Sequence, residues 1–302
     1  MTYEDQLKLL VEQRDDIVVL TAENRAAMRN ITGLLGKRFI DFGIAEQTMI
    51  GTAAGLALRG RIPICHALAT FLTLRAFEFI RTDVGISGLP VKLVGAVAGF
   101  LSEANGPTHQ ALEDVAILRG IPNMRVLCPT DSEEQAEALA AMIADPHPAY
   151  MRFNAVARSF DHHTRFEIGK AELLREGEDV ALLSYGFLVR EVLKAAQLLE
   201  EDGVSARVIS LRTLSPVDEE AILAAARETG FVVTVEDHFL TGGLFTIVSE
   251  VLTKHRTVCD VHPIALEQRW FKPALLEDVL TYERFTGAHL AQRVLRKVKE
   301  PQ

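Results

Sequence analysis

Short runs of β-branched and other apolar residues recur along nearly the whole chain, each followed by a longer stretch with helical spacing. A strand that is apolar at every position is buried on both faces. Chains that alternate such strands with helices build parallel sheets covered on both sides. The pattern predicts an α/β fold. In the first half, strands are expected at Ile17–Thr21, Ile62–Ala67, Val91–Ala98, Arg125–Cys128 and Ala149–Phe153, and helices at Glu46–Leu58, Ala69–Arg81, Gln110–Arg119 and Ser132–Ala144. From Asn154 to Glu178 the alternation gives way to a charged, His-containing stretch without a period. A second block then offers strands at Val180–Tyr185, Ala206–Leu211, Phe231–Glu236 and Cys259–Ile264, with helices at Phe187–Glu201, Val217–Glu228 and Gly243–Lys254. The chain therefore reads as two domains, residues 1–160 and 175–302, each a mainly parallel sheet flanked by helices. Its 302 residues suffice for two cores.

The formal net charge of -9 argues against nucleic acid as a partner and against an anionic membrane, since phosphate binding wants a surplus of Lys and Arg. No apolar run reaches the roughly 18 residues that span a bilayer, and Met1–Leu10 lacks the apolar core of a signal peptide. Cys65, Cys128 and Cys259 are widely spaced and beside apolar runs, which suits buried free thiols in a reducing cytoplasm. No metal ligands are assigned to this chain.

The helix from Glu46 carries Gly51, Ala53, Ala54, Gly55 and Ala57. Glycine costs a helix about 1 kcal/mol against alanine, so something packs close to it, either the chain's own sheet or a helix across an interface. Three landmarks stand where a strand or loop meets a helix. The first is Asp41-Phe-Gly-Ile-Ala-Glu46-Gln47, whose glutamate alone could be a favourable charge in a first helical turn. The second is Ala69-Thr70-Phe71-Leu72, alone an apolar helix start. The third is Asn105-Gly106-Pro107-Thr108-His109-Gln110, a stiff turn whose histidine could be a cap or surface residue. Taken together they place an acid, an aromatic ring and an imidazole at the kind of junction where α/β folds bind ligands. The Gly242-Gly243 pair is read as a structural turn ahead of phosphate binding.

With these pieces, the chain from about Ile17 through His262 resembles the C-terminal half of transketolases. The likeness also rests on Gly106–Met124, on Pro129-Thr-Asp131, on the text from Ala206 to Pro216, and on Val235-Glu-Asp-His238 ahead of Thr241-Gly-Gly-Leu244. The resemblance implies a pyrimidine-binding domain followed by a transketolase C-terminal domain, with thiamine diphosphate as coenzyme. Glu46 would hydrogen-bond N1′ of the aminopyrimidine. The thiazolium C2–H is a weak acid, and the neighbouring 4′-amino group becomes a base only as its imino tautomer. A carboxyl group sharing a proton with N1′ drives that tautomer, and burial beside Ile44 and the ring would keep the proton available. Phe71 would stack on the pyrimidine and Phe77 falls near another aromatic position, while Leu74 stands where some relatives place a second ring. His109 would face the substrate as proton donor or acceptor. Arg152 would bind substrate phosphate. Asn105 would also meet substrate, at a position usually held by Asp. Val97 and Ala27 likewise depart from a usual histidine and serine, which leaves the identity of the sugars open.

Transketolases hold Mg²⁺ and the diphosphate with a Gly-Asp-Gly motif, and none occurs here. The resemblance therefore implies a separate chain of similar size that completes the site and holds most of the Mg²⁺ (or Ca²⁺) shell, with two copies of each subunit in the assembly. The expected reaction is transfer of a two-carbon ketol unit from a ketose, or ketose phosphate, to an aldose or its phosphate. The alternatives are a beta-type subunit of a 2-oxo-acid decarboxylating enzyme, a deoxyxylulose-phosphate-synthase-like enzyme, or a non-catalytic relative that kept the fold.

Overall fold

The computed structural model describes residues 1–102, 105–267 and 269–299, so the end of the expected second domain, residues 300–302, lies outside it. Among the described residues, twelve strands form two sheets. They are β1 (Ile17–Thr21), β2 (Phe39–Asp41), β3 (Ile62–Leu68), β4 (Lys92–Ala96), β5 (Arg125–Leu127), β6 (Ala149–Phe153), β7 (Glu172–Arg175), β8 (Val180–Ser184), β9 (Ala206–Ser210), β10 (Thr213–Ser215), β11 (Phe231–Phe239) and β12 (Val261–Leu266). The first sheet runs β10-β5-β6-β4-β3-β1-β2 and the second β12-β11-β8-β9-β7. Pairing is parallel throughout except where β10 meets β5 and β7 meets β9. Strands β1, β4 and β8 are buried at every position, as their unbroken apolar runs require.

Strand β10 follows β9 in sequence yet adds to the edge of the first sheet, so the two sheets do not divide the chain at one point. The join is tightened by backbone bonds from Cys128 N to Arg212 O (2.8 Å), Gly186 N to Cys128 O (3.1 Å) and Phe239 N to Leu112 O (2.8 Å). Across the same seam Phe100 meets the rings of Phe271 and Phe285 edge-on at 5.2 and 4.9 Å. Such contacts contribute beyond their buried area.

Several helices keep the expected limits, among them Glu46–Leu58 and Ser132–Ala144. Asp131 starts the latter by accepting from the amides of Glu133 and Glu134. The stretch expected as one helix over Ala69–Arg81 is instead a π-helical turn at Phe71–Arg75, a short α-turn at Phe77–Phe79 and a second π-turn at Ile80–Gly85. The helix expected from Gln110 narrows to Asp114–Leu118. Cys65 and Cys128 are buried free thiols, and Cys259 is half-buried. Among the described residues, no helix is long and apolar enough to cross a membrane.

In the first sheet β1 connects outward to β2, whereas β3 lies on the other side of β1 with β4 beyond it. The strand order therefore reverses between β1 and β3, and the crevice above their C-terminal ends is the ligand-binding position of an open parallel sheet.

Candidate active site

Glu46 opens the helix after β2, Phe71 follows β3, and His109 sits in the loop after β4. All three therefore rise from the C-terminal ends of parallel strands around the reversal point. Glu46 is 2% exposed. Its helix has no side-chain cap, but the carboxylate does more than face a dipole. Oε2 accepts a 2.7 Å bond from Nη1 of Arg75. The same guanidinium lies over the Phe71 ring, 4.3 Å from its centre. The far side of the arrangement is His109, whose ring meets Phe71 edge-on with centroids 5.0 Å apart. The acid, the aromatic and the imidazole, separated by 63 positions in sequence from first to last, thus form one continuous set.

The loop that delivers His109 is held by its backbone. The His109 carbonyl accepts from the hydroxyls of Thr70 (2.7 Å) and Ser102 (2.5 Å). Gly106 takes φ +77°, which glycine adopts without strain. The Thr108 hydroxyl meets Nδ1 of His109 at 2.9 Å, which leaves Nε2 for a ligand.

The remaining candidates lie as follows. Ile44 is 71% exposed, so its apolar side chain is free to meet a ring or another chain. Phe77 is partly buried and packs on the core. Asn105 is exposed in the turn before Gly106. Val97 follows β4 at φ +54°, a left-handed conformation that costs a β-branched residue about 1–2 kcal/mol.

Arg152 lies at the seam between the two domains. It is buried at 7% exposure, and its guanidinium bonds Asp114 through Nε (2.9 Å) and Asp237 through Nη1 (2.7 Å). Tyr150 donates to the same Asp114 oxygen at 2.6 Å. Burial opposes the charge on Arg152, and the two carboxylates more than offset it. The cleft beside it measures about 10 Å³, the room of a single water. The strand-end arginine expected to meet phosphate is paired here with both carboxylates. Gly99 belongs to this cluster, because a Cβ there would stand 1.8 Å from Asp237 Oδ2.

Gly242-Gly243 also has a structural explanation. The amides of Leu244 and Phe245 donate to Glu236 at 2.6 and 3.0 Å, so the helix N-terminus already carries a carboxylate. Burial pushes the Glu236 carboxyl up to about 8, against those two amide bonds. A Cβ on Gly243 would stand 2.0 Å from Glu236 Oε2.

Sequence reasoning missed Arg75. No motif marked it, and only its position four residues after Phe71 in a helix start hinted that the two could stack. It also missed a third ion cluster, at the linker. There His162 bonds Asp131 (3.0 Å) and Glu172 (2.7 Å). Burial disfavours its charge, but the hydrogen bonds it donates to the two carboxylates win and raise it to about 10. Glu134, His162 and Glu172 bring three potential ligand atoms within 4.8 Å of one another, but both ring nitrogens of His162 already bond carboxylates.

Residues 1–156 match the transketolase pyrimidine-binding domain and residues 169–289 the transketolase C-terminal domain. Over 255 residues the chain is 40% identical to the 6-deoxy-6-sulfo-D-fructose transketolase subunit SqwH of Clostridium sp. (strain MSTE9), covering 83% of this chain and 79% of that one. It is 34% identical over 259 residues to an apulose-4-phosphate transketolase subunit of Phocaeicola vulgatus, covering 84% and 83%. A solved split-gene transketolase, described as an inactive beta4 tetramer, superposes with a TM-score of 0.89 at 33% identity over 97% of this chain and 96% of that one.

Proposed function

The chain belongs to the transketolase family, and from that premise we propose that it is the pyrimidine-binding subunit of a split, thiamine-diphosphate-dependent transketolase. The carrying observation is the continuous set of Glu46, Phe71 and His109 above the β1/β3 reversal. A buried carboxyl suits a ring nitrogen that must be protonated, and an aromatic face suits a heteroaromatic ring. These residues fit the pyrimidine half of the coenzyme. The diphosphate half needs oxygen ligands and a cation, and the sequence lacks Gly-Asp-Gly. A second chain therefore supplies that half and most of the Mg²⁺ shell, in an assembly with two copies of each subunit.

Surface chemistry supports a second chain at this face. A Cβ on Gly55 would meet nothing within 4 Å, and one on Gly51 only the Asp83 side chain at 3.8 Å. Ala53, Ala54 and Ala57 are buried in the chain's own core, but the two glycines of the small-residue helix are not explained by packing within this chain. Leu58 and Ile86 are 72% and 74% exposed and, with Ile44, add apolar surface to the same domain.

When bound, thiamine diphosphate supplies the carbon nucleophile and electron sink for ketol transfer. Glu46 shares a proton at N1′ from a water-poor position. Phe71 fixes the plane of the ring. His109 Nε2 gives a proton to, or takes one from, the substrate oxygen. Arg152 bonds Asp114 of the first domain and Asp237 of the second. The substrates are a ketose donor and an aldose acceptor, free or phosphorylated. The free thiols of Cys65 and Cys128 fit a reducing cytoplasm.

The test is reconstitution with a Gly-Asp-Gly-bearing chain of similar length, assayed with ketose phosphates and with 2-oxo acids. The pair should transfer ketol units from ketoses while the lone chain turns over nothing. Full activity of the lone chain, or activity of the pair with 2-oxo acids alone, contradicts the proposal.

A further inference from the structure

The guanidinium of Arg75 does two things at once: it donates to the buried Glu46 carboxylate at 2.7 Å and covers the Phe71 face at 4.3 Å. A planar cation stacked on a ring, with N–H groups toward a carboxylate, offers the same two contacts as a protonated aminopyrimidine. We propose that Arg75 is an internal stand-in for the pyrimidine, closing the half-site of this chain until the coenzyme displaces it. The inference rests on the assignment of Glu46 and Phe71 to the coenzyme.

Three observations carry it. The two contacts are those the coenzyme needs, so Arg75 and the pyrimidine compete for Glu46 Oε2 and for the Phe71 face that Arg75 covers. The arginine itself has an open route out, since its side chain is 36% exposed while that of Glu46 is 2% exposed. Its segment, Phe71–Arg75, is a π-turn inside an otherwise helical stretch. Such turns recur at functional sites, and this one keeps Arg75 on the rim of the crevice. Arg75 also gives the buried Glu46 carboxylate a compensating charge, which water entering at the open rim partly replaces once the arginine leaves. The plug therefore protects the unassembled chain, and it lowers coenzyme affinity by the fraction of time the site is closed.

The experiment uses the full-length chain and thiamine, which carries the pyrimidine but no diphosphate. Binding is measured by calorimetry for the wild type, Arg75→Ala and Arg75→Lys, with thermal unfolding of each chain recorded in parallel. If the closed state holds about nine-tenths of the population, Arg75→Ala binds thiamine about tenfold more tightly. Arg75→Lys, which keeps the charge but not the plane, falls between. A merely structural arginine would behave oppositely, its loss lowering thiamine affinity. Equal or weaker binding by Arg75→Ala, or no detectable thiamine on either chain up to concentrations of about 10 mM (the weakest range such titrations resolve), overturns the inference. The coenzyme reading stands or falls separately, on whether the two-subunit assembly takes up thiamine diphosphate.

Discussion

Two buried carboxylate–arginine sites can be compared within this one chain. At the domain seam, Arg152 is held by Asp114 and Asp237, and the side chains are 8%, 0% and 4% exposed. At the crevice, Glu46 is equally buried, but its partner Arg75 reaches in from the rim. The seam cluster has three charged members, a tyrosine hydroxyl on Asp114 and a glycine that leaves room for Asp237. The crevice pair has one bond and one stacking contact. Where a guanidinium is enclosed on all sides it serves as architecture. Where it enters from solvent, a ligand can replace it. Burial of the acid alone does not separate these roles; the exposure of its partner does.

The largest expected effect comes from breaking the enclosed site. Arg152→Ala strands two carboxylates in a dry seam and should cost about 3–5 kcal/mol in chemical unfolding of the chain. A loss below about 1 kcal/mol would contradict an architectural role for Arg152.

Arg75→Ala should cost only about 1 kcal/mol in the same measurement, because water reaches Glu46 once the rim is open. Equal losses for the two variants would erase the distinction drawn between the sites.

The smallest effect is a pH dependence at the third cluster. The folded value of His162 is raised from 6.5 to about 10. Its contribution is therefore fully present below about pH 6.5 and lost as pH climbs toward 10. Thermal unfolding of the wild type should fall across that window relative to His162→Gln. Parallel curves would show that His162 carries no such linkage.

The degree to which the structure was legible in sequence follows from the range of the signals. Helix Glu46–Leu58 and strands Ile17–Thr21 and Ala149–Phe153 were readable to the residue, because their patterns are local and unbroken. Strand Phe39–Asp41 was too short to show a period. Strand Thr213–Ser215 pairs with Leu127 and Val126 across more than 80 positions, a register that no local pattern encodes. The π-turns of Phe71–Arg75 and Ile80–Gly85 escaped because their composition is that of an α-helix. At the site, Glu46, Phe71 and His109 were recognisable as motifs. The fate of Arg152 was decided by Asp237, 85 positions away, and that of Arg75 by Glu46, 29 positions away. Charge pairing at such separations leaves no periodic trace.

The account depends most on the proton that Glu46 is proposed to share with the coenzyme. In the assembled two-subunit enzyme, hydrogen–deuterium exchange at the thiazolium C2 of bound thiamine diphosphate reports that contact without needing a sugar. Glu46→Gln should bind the coenzyme yet slow the exchange by about a hundredfold or more. Exchange at the wild-type rate, with the coenzyme in place, would contradict the role given to Glu46.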